Sequence, residues 1–207
     1  MQSSIRQAHP GHEKDARWAA VDRYAEDHLI SKDTPYYAAL QYATKLSEEQ
    51  RLPSIEVSPL QGKTLALFCM SVKAKHILEV GTLGGYSSIW LAGSSPDAQI
   101  TTIEISSQHR DVAVQAHKYA GLSDRIEVLL GAGNDVLPQI RKDIEGGERE
   151  KFDFVFIDAD KPNNLNYLNE TIPMCQPRTM IIVDNVVRKG TLADEEAARG
   201  GEKIEGM

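Results

Sequence analysis

The fold is set by the stretch Lys75-His-Ile-Leu-Glu-Val-Gly-Thr-Leu-Gly-Gly-Tyr-Ser87. Its first part, residues 76–80, is an apolar run with the composition of a buried strand, and a glycine-rich turn follows. Glycine after a strand lets the backbone approach a ligand closely, and the start of the next helix offers free N–H groups. The stretch therefore predicts a strand, a ligand-binding turn and a helix, which together form the repeating unit of an α/β fold.

Similar apolar runs recur later in the chain and alternate with amphipathic stretches. Near-continuous apolar composition is typical of parallel strands that helices cover on both faces. We therefore expect an α/β fold with a doubly wound, mostly parallel sheet. The five predicted strands are residues 76–80, 99–105, 125–130, 151–158 and 179–184.

Helices are predicted between these strands. One follows Ser106 and Ser107 as N-caps, another begins at Asn134 and ends at glycines 146–147, and a third covers residues 162–174. The apolar residues expected on their buried faces are Val112, Ala116, Tyr119 and Ala120 in the first, Val136, Leu137, Ile140 and Ile144 in the second, and Leu165, Leu168 and Ile172 in the third.

The part of the chain before the sheet is predicted to be a helical cover. Residues 18–73 predict three helices, separated by turn-forming residues at 31–35 and 52–59. Residues 1–17 lack periodicity and are predicted to be a flexible tail. We expect a single domain over residues 18–207, with the sheet in residues 74–190 and an incomplete C-terminal segment in residues 191–207.

The composition is acidic, with 23 Lys plus Arg against 30 Asp plus Glu and a net charge of −7. Binding to nucleic acid or to an anionic membrane needs a cationic surface, so neither partner is expected. No apolar run approaches the length of a membrane span, and the first 18 residues are polar and charged, so we expect a cytoplasmic protein. Cys69 and Cys175 lie far apart in apolar stretches and are expected to be inert thiols.

Two carboxylates accompany the glycine-rich turn. The spacing Gly-x-x-Gly-Gly from Gly81 differs from the Gly-x-Gly-x-x-Gly of dinucleotide sites, so a dinucleotide is disfavoured. Glu104 ends the second strand 20 residues after Gly84, where a carboxylate can accept hydrogen bonds from a ribose diol. Glu79 places a charge inside an apolar strand, which a cationic ligand would stabilise. These features predict a nucleoside ligand; the alternative is a turn that only lets strand and helix pack.

Two later strands end in aspartate, at Asp158 and Asp184. If these strands are neighbours, about 4.8 Å apart, the two carboxylates emerge together at the carboxyl edge of the sheet. Protonation of one of them would relieve their repulsion, and so would a divalent cation such as Mg²⁺ with Asn185 as a third oxygen ligand. The alternative is that the carboxylates cap the next helices. Lys161 is a candidate general base at the same edge, or an ordinary surface lysine.

Together these motifs resemble those of the cation-dependent O-methyltransferases, the family that includes catechol and caffeoyl-CoA O-methyltransferases. The similarity covers about residues 55–190. Residues 79–87 resemble the S-adenosylmethionine loop of the family, and residues 158–161 with 184–185 resemble its metal and catalytic motifs. Residues 130–135 are similar to the adenine-contacting turn of the catechol branch. The resemblance implies the class I methyltransferase fold, which is Rossmann-like, with strand order 3-2-1-4-5.

The resemblance also implies a role for each site residue. The implied cation ligands are Asp158, Asp184 and Asn185, and the implied catalytic residues are these three with Lys161 as the base. The reaction would be methyl transfer to a hydroxyl of a small aromatic vicinal diol, catechol-like or caffeoyl-type, and a homodimer is compatible with it. The implied S-adenosylmethionine ligands are Val57, Glu79, Gly81, Tyr86, Ser87, Glu104, Gly133, Asn134, Asp158 and Asp160.

The resemblance departs from the family pattern at the C-terminus. Family members continue into a further helix and an antiparallel strand pair, whereas this sequence ends at Met207. A truncated, non-catalytic nucleoside-binding or interaction module is therefore the main alternative. A phosphohydrolase with an aspartate nucleophile is disfavoured, because it needs a lysine and more acids well after Asp160. A nicotinamide dehydrogenase is disfavoured by the glycine spacing.

Overall fold

The computed structural model describes residues 16–187. Residues 1–15 of the predicted tail, which was expected over residues 1–17, lie outside the described residues, and so does the predicted C-terminal segment over residues 191–207. The first helix begins at Ala16, slightly before the predicted start of the helical cover at residue 18.

The described part of the chain folds around a sheet of five parallel strands. They are β1 (His76–Val80), β2 (Gln99–Glu104), β3 (Ile126–Leu130), β4 (Phe152–Ile157) and β5 (Cys175–Val183). Their order across the sheet is β3-β2-β1-β4-β5, and every neighbouring pair is parallel. The predicted sheet and strand order are thus confirmed. The winding direction reverses between β1 and β4, which is where such sheets bind ligands.

Several strand boundaries differ from the prediction. β3 and β4 each begin one residue later than predicted, and β4 and β5 each end one residue earlier. β2 ends at Glu104, and the next residue, Ile105, leaves the sheet and is 72 % exposed. β5 begins at Cys175 rather than at residue 179, because an irregular stretch before Met180 shifts its pairing with β4.

Within residues 16–187, three helices precede the sheet, as predicted: α1 (Ala16–Leu29), α2 (Tyr37–Glu49) and α3 (Pro59–Val72). The start of α3 is a capping box. The Gln61 backbone N–H donates to Ser58 Oγ at 3.2 Å, and the Ser58 N–H donates to Gln61 Oε1 at 2.8 Å. This arrangement satisfies free backbone donors at the helix start and holds the preceding segment in place.

The helices that follow β1 cover both faces of the sheet. They are α4 (Tyr86–Ala92), α5 (Ser107–Tyr119), α6 (Gly133–Glu145) and α7 (Asn164–Thr171). Helices α3, α4 and α5 contribute to one core with Ile77 and Phe154, whereas α6 and α7 contribute to the other with Leu78 and Val155. Because successive side chains of a strand point to opposite faces, alternate residues of each strand belong to the same core.

The predicted helix over residues 162–174 is divided in the structure. A 3-10 turn that contains a proline flanks α7 on each side, and its tighter winding changes the phase of the buried stripe. The prediction that Leu165 and Ile172 face the sheet is therefore wrong, since both are exposed. Leu168 packs against the core as predicted, and Tyr167 is buried beside it.

Helix α5 also differs in part from its predicted stripe. Val112 and Ala116 are buried as predicted, but Tyr119 is exposed, and its ring stacks on Tyr42 of α2 with the centroids 4.0 Å apart. His117 is buried instead.

Both cysteines are free in the described part of the chain. Cys69 is buried, and burial raises the pKa of its thiol. Cys175 is only partly buried. No helix among residues 16–187 has both the length and the apolar composition needed to cross a bilayer.

Candidate active site

One row of residues crosses the carboxyl edge of the sheet. The last paired residues of four neighbouring strands are in register, namely Ile103, Val80, Ile157 and Val183. Backbone hydrogen bonds of 2.8–3.0 Å extend this pairing by one residue. The next residues therefore lie side by side in the order Glu104, Gly81, Asp158 and Asp184. Neighbouring strands are about 4.8 Å apart, so Asp158 and Asp184 are adjacent, as their strands predict.

Gly81 occupies a position in this row that no other residue fits. Its φ is +104°, and a Cβ added to it would lie 2.5 Å from the carbonyl oxygen of Asp158. A side chain would therefore meet both backbone strain and a steric clash. The glycine leaves a cradle in which a ligand can approach the backbone at the reversal point of the sheet.

Glu79 is fully buried two residues before Gly81. Its Oε2 accepts hydrogen bonds from Ser88 Oγ at 2.5 Å and Thr102 Oγ1 at 2.7 Å, while Oε1 has no partner of good geometry among the described residues. Burial raises the pKa of Glu79 to about 7, although hydrogen bonds from Ser87, Ser88 and Thr102 lower it. A buried carboxylate with one oxygen left over is suited to a cationic ligand.

Glu104 holds the backbone of the glycine-rich turn. Its Oε2 accepts hydrogen bonds from the N–H groups of Thr82 at 3.3 Å and Leu83 at 2.8 Å, and its Oε1 accepts one from the Ser106 N–H at 2.9 Å. His109 Nδ1 lies 3.4 Å from Oε1. A ribose hydroxyl at this carboxylate would compete with His109, whose contact is the longest of the four.

Asp158 forms an ion pair with Lys161, whose Nζ lies 2.5 Å from Asp158 Oδ1. Burial raises the pKa of Asp158, Lys161 lowers it, and the charge of Asp184 raises it. Asn185 follows Asp184 in the left-handed region, with φ 56°, and its backbone N–H lies 2.6 Å from Asp184 Oδ1.

The chemistry of these donors fits a divalent cation. Two neighbouring carboxylates and an amide oxygen are hard ligands of the kind Mg²⁺ accepts, and the ion pair with Lys161 shows that Asp158 attracts positive charge. Residues 16–187 contain no group of three or more His, Cys, Asp or Glu side chains that could hold a metal. A cation at this edge would therefore need Asn185, water or a ligand to complete its coordination.

A second turn, at the start of α6, lies beside the segment that follows β4. A Cβ on Gly133 would lie 2.7 Å from Tyr167 Cε1, so the tyrosine ring packs against this glycine. The Tyr167 hydroxyl donates a hydrogen bond to Asp160. Asn163 connects Asp160 to Asn134 through hydrogen bonds of 2.5 and 3.0 Å. Three predicted cofactor residues, Gly133, Asn134 and Asp160, are thus brought together.

The other predicted cofactor residues lie at the start of α4 and just before α3. Tyr86 and Ser87 are buried in the first turn of α4. Val57 is buried in the same core cluster as Tyr86. Their contacts with a cofactor stay a prediction.

Several residues that position these side chains were missed by sequence reasoning. They are Thr82, Ser88 and Thr102 around Glu79, His109 at Glu104, and Tyr167 at Asp160. One signal was present, because Thr102 and Glu104 alternate in β2 and so face the same side of the sheet. That signal is weak, since threonine is common in strands.

Comparison with known proteins gives consistent matches over most of the chain. Residues 28–204 match a family model described as O-methyltransferase. The O-methyltransferase imqG of Aspergillus flavus is 42 % identical over 193 residues, which cover 93 % of this chain and 78 % of that protein. The catechol O-methyltransferase of Mycobacterium tuberculosis is 40 % identical over 186 residues, covering 86 % of this chain and 80 % of that protein.

The solved structures include a similar protein with a bound ligand. The O-methyltransferase from Bacillus cereus, in complex with SAH, has a TM-score of 0.80 and 42 % sequence identity to this chain. The match covers 89 % of this chain and 84 % of that chain.

Proposed function

The chain belongs to the O-methyltransferase family, and we propose that it transfers a methyl group from S-adenosylmethionine to a small aromatic acceptor. The acceptor is a catechol-like or caffeoyl-type vicinal diol, and one of its hydroxyls is methylated. The reaction depends on a divalent cation. The observation that carries this proposal is the row of residues at the carboxyl edge of the sheet. The row sets the acidic pair Asp158 and Asp184 directly beside the cradle at Gly81.

The relatives support the donor and the acceptor separately. The Bacillus cereus structure contains SAH, which supports S-adenosylmethionine as the methyl donor here. The Mycobacterium tuberculosis relative is named a catechol O-methyltransferase, which supports an acceptor with two adjacent hydroxyls.

In the proposed cofactor site, different residues at the carboxyl edge of the sheet bind different parts of S-adenosylmethionine. Gly81 and Ser87 would hold the methionine part, because the backbone is open there and the first turn of α4 offers N–H groups. Glu104 would bind the ribose, and Gly133 with Asn134 would contact the adenine. Among residues 16–187, Oε1 of Glu79 has no hydrogen-bond partner of good geometry, which favours a cationic donor in this position.

The proposed cation ligands are Asp158, Asp184 and Asn185. When bound there, Mg²⁺ or a similar ion would supply Lewis-acid activation of an acceptor hydroxyl. Lys161 lies beside Asp158. In its neutral form, released from its ion pair with Asp158, it would act as the general base that receives the proton of that hydroxyl. The turn at Gly81 would hold the donor methyl group in line with the acceptor oxygen. Most of the rate would then come from orientation and from charge stabilisation.

Family membership does not favour the alternatives considered from the sequence. The matched relatives are named as enzymes that transfer methyl groups, not as binding modules, phosphohydrolases or dehydrogenases. We also propose that residues 18–207 form one methyltransferase domain, that the protein is cytoplasmic with no nucleic-acid or membrane partner, and that it forms a homodimer. The acidic composition supports the absence of a nucleic-acid partner and of an anionic-membrane partner.

The proposal is tested by incubating the purified chain with S-adenosylmethionine and catechol and detecting methylated product by mass spectrometry. We expect product with Mg²⁺, none with a chelator, and none with an acceptor that has a single hydroxyl. Asp184→Ala should abolish product, whereas Asp97→Ala, a change at an exposed aspartate just before the amino end of β2, at the opposite edge of the sheet, should not. Equal product with and without chelator would contradict the cation requirement.

A further inference from the structure

We infer that the hydroxyl groups of Thr102, Thr82 and Ser88 form a buried hydrogen-bonded chain that positions Glu79 and the glycine-rich turn for binding of the cationic donor. The inference rests on the proposed function, since it concerns the same cofactor site. These three residues are positioning residues, because they act through Glu79 and the turn.

The first part of the chain fixes the carboxylate. Glu79 of β1 is directly in register with Thr102 of β2, so the two buried side chains point to the same face of the sheet. Ser88 reaches the same oxygen from α4, and both hydroxyls donate to Oε2, at 2.7 and 2.5 Å. Since Oε2 receives both bonds, the carboxylate is held in one orientation, and Oε1 is the oxygen left without a good partner among residues 16–187.

The second part of the chain reaches the turn. Thr82 Oγ1 and Thr102 Oγ1 are 2.6 Å apart. The single hydroxyl proton of Thr102 is used in its bond to Glu79, so Thr82 is the donor to Thr102. The backbone N–H of Thr82 donates to Glu104 Oε2 at 3.3 Å. Thr82 therefore connects the turn to both carboxylates, to Glu79 through Thr102 and to Glu104 directly.

The surroundings of Glu79 leave hydroxyl groups as the donors that stabilise its ionised form. Within the described residues, no Lys or Arg side chain offsets its burial; β2 and α4 contribute only hydroxyls, from Thr102, Ser87 and Ser88. The charged group that acts on it is Asp158 after β4, which raises its pKa, and α3 contributes the buried thiol of Cys69. Burial raises the pKa of Glu79 to about 7, so loss of one donated hydrogen bond would favour the neutral carboxyl group.

The test measures the dissociation constants of S-adenosylmethionine and SAH by titration calorimetry from pH 6 to pH 9, with a chelator present and with the full chain. In the wild-type protein, affinity for S-adenosylmethionine should rise with pH through a midpoint near 7, as Glu79 ionises. Thr102→Val keeps the shape of the side chain and removes the hydroxyl. We expect it to raise the dissociation constant about tenfold at pH 7 and to move the midpoint up by about one pH unit.

Two matched variants separate this role from a general effect of losing a buried hydroxyl. Thr102→Ser keeps the donor and should restore the wild-type midpoint. Thr101→Val removes the hydroxyl of the neighbouring threonine, which is buried on the other face of the sheet and accepts a hydrogen bond from Arg149 at 2.7 Å. It should leave the dissociation constants and the midpoint as in the wild type. If Thr102→Val does not fold, Ser88→Ala removes the other donor to Oε2 and should shift the midpoint in the same direction.

Other outcomes would overturn the inference. Wild-type affinity and midpoint in Thr102→Val would do so, and so would an equal shift in Thr101→Val. Weaker binding of Thr102→Val with an unchanged midpoint would show a structural role only, and would also overturn it. A wild-type protein that binds neither S-adenosylmethionine nor SAH would instead overturn the proposed function, and this inference with it.

Discussion

Two buried side chains next to the glycine-rich turn have strongly shifted pKa values. Burial raises the pKa of Glu79 to about 7. Burial lowers the pKa of His117 to about 4, although a hydrogen bond with the Gly85 backbone raises it. In both residues burial favours the neutral form of the side chain, which raises the pKa of an acid and lowers the pKa of a base. His117 packs tightly, since a Cβ on Gly85 would lie 2.4 Å from its Nε2.

The two residues change stability with pH in opposite directions. Between pH 4 and 6.5 the unfolded chain binds a proton at His117 that the native protein excludes, so stability from this residue rises with pH. Between pH 4.5 and 7 the native protein keeps a proton on Glu79 that the unfolded chain has lost, so stability from that residue falls as pH rises. A variant at one position therefore isolates one of the two effects.

His117→Gln should make the protein less sensitive to acid. Burying a neutral histidine should account for about 2 kcal/mol of the unfolding free energy lost between pH 7.5 and pH 5, and this loss should be absent in the variant. The measurement is urea unfolding at both pH values. His28→Gln, at an exposed histidine, is the control and should keep the wild-type difference. The same loss in His117→Gln as in the wild type would show that His117 does not titrate in this way.

At the scale of elements, the turn between β1 and α4 depends on glycine for two separable reasons. Gly81 has φ +104° and would place a Cβ 2.5 Å from a backbone oxygen. Gly147, after α6, has φ +78° but would meet nothing within 4 Å among the described residues. The position of Gly147 therefore requires glycine only for its backbone conformation, whereas the position of Gly81 also has no room for a side chain.

Gly81→Ala should abolish measurable SAH binding and destabilise the protein by about 3 kcal/mol, because the turn must move away from the end of β4. Gly147→Ala should cost only about 1 kcal/mol, from backbone strain, and should leave SAH binding unchanged. Urea unfolding and titration calorimetry measure the two effects. If both variants bound SAH as the wild type does, close approach at Gly81 would not matter for the cofactor.

Elements with a strong local pattern could be predicted from the sequence. The apolar run before Gly81 and the runs ending at Asp158 and Asp184 place both acids at the correct strand ends. The buried face of α7 could not be predicted in this way, because the proline turns on each side change the helical phase. Leu165 was therefore assigned to the core although it faces solvent.

The hydroxyl chain around Glu79 was beyond sequence reasoning for a different reason. Threonine at residue 102 fits the general preference of strands for β-branched residues, so its alternation with Glu104 is only a weak signal. Its contact with Glu79 arises only from the parallel register of β1 and β2, which joins residues 23 positions apart. Local pattern predicts the strands, but the pairing between them decides which polar side chains meet.

Across the molecule as a whole, the strand order gathers the candidate site. The chain reaches β1 at the centre of the sheet, and the crossover to β4 on its other side places the turn at Gly81 against Asp158. β5 then adds Asp184 to the same edge. The proposed donor and cation sites are therefore neighbours because of the topology.

Crystals of the protein grown with SAH and Mn²⁺ test this arrangement most directly, by an anomalous difference map at the manganese edge. We expect one strong peak within about 2.5 Å of carboxylate oxygens of both Asp158 and Asp184, with SAH bound at the Gly81 turn beside it. A map with SAH bound at the turn and no manganese at the two aspartates would contradict a shared site for donor and cation.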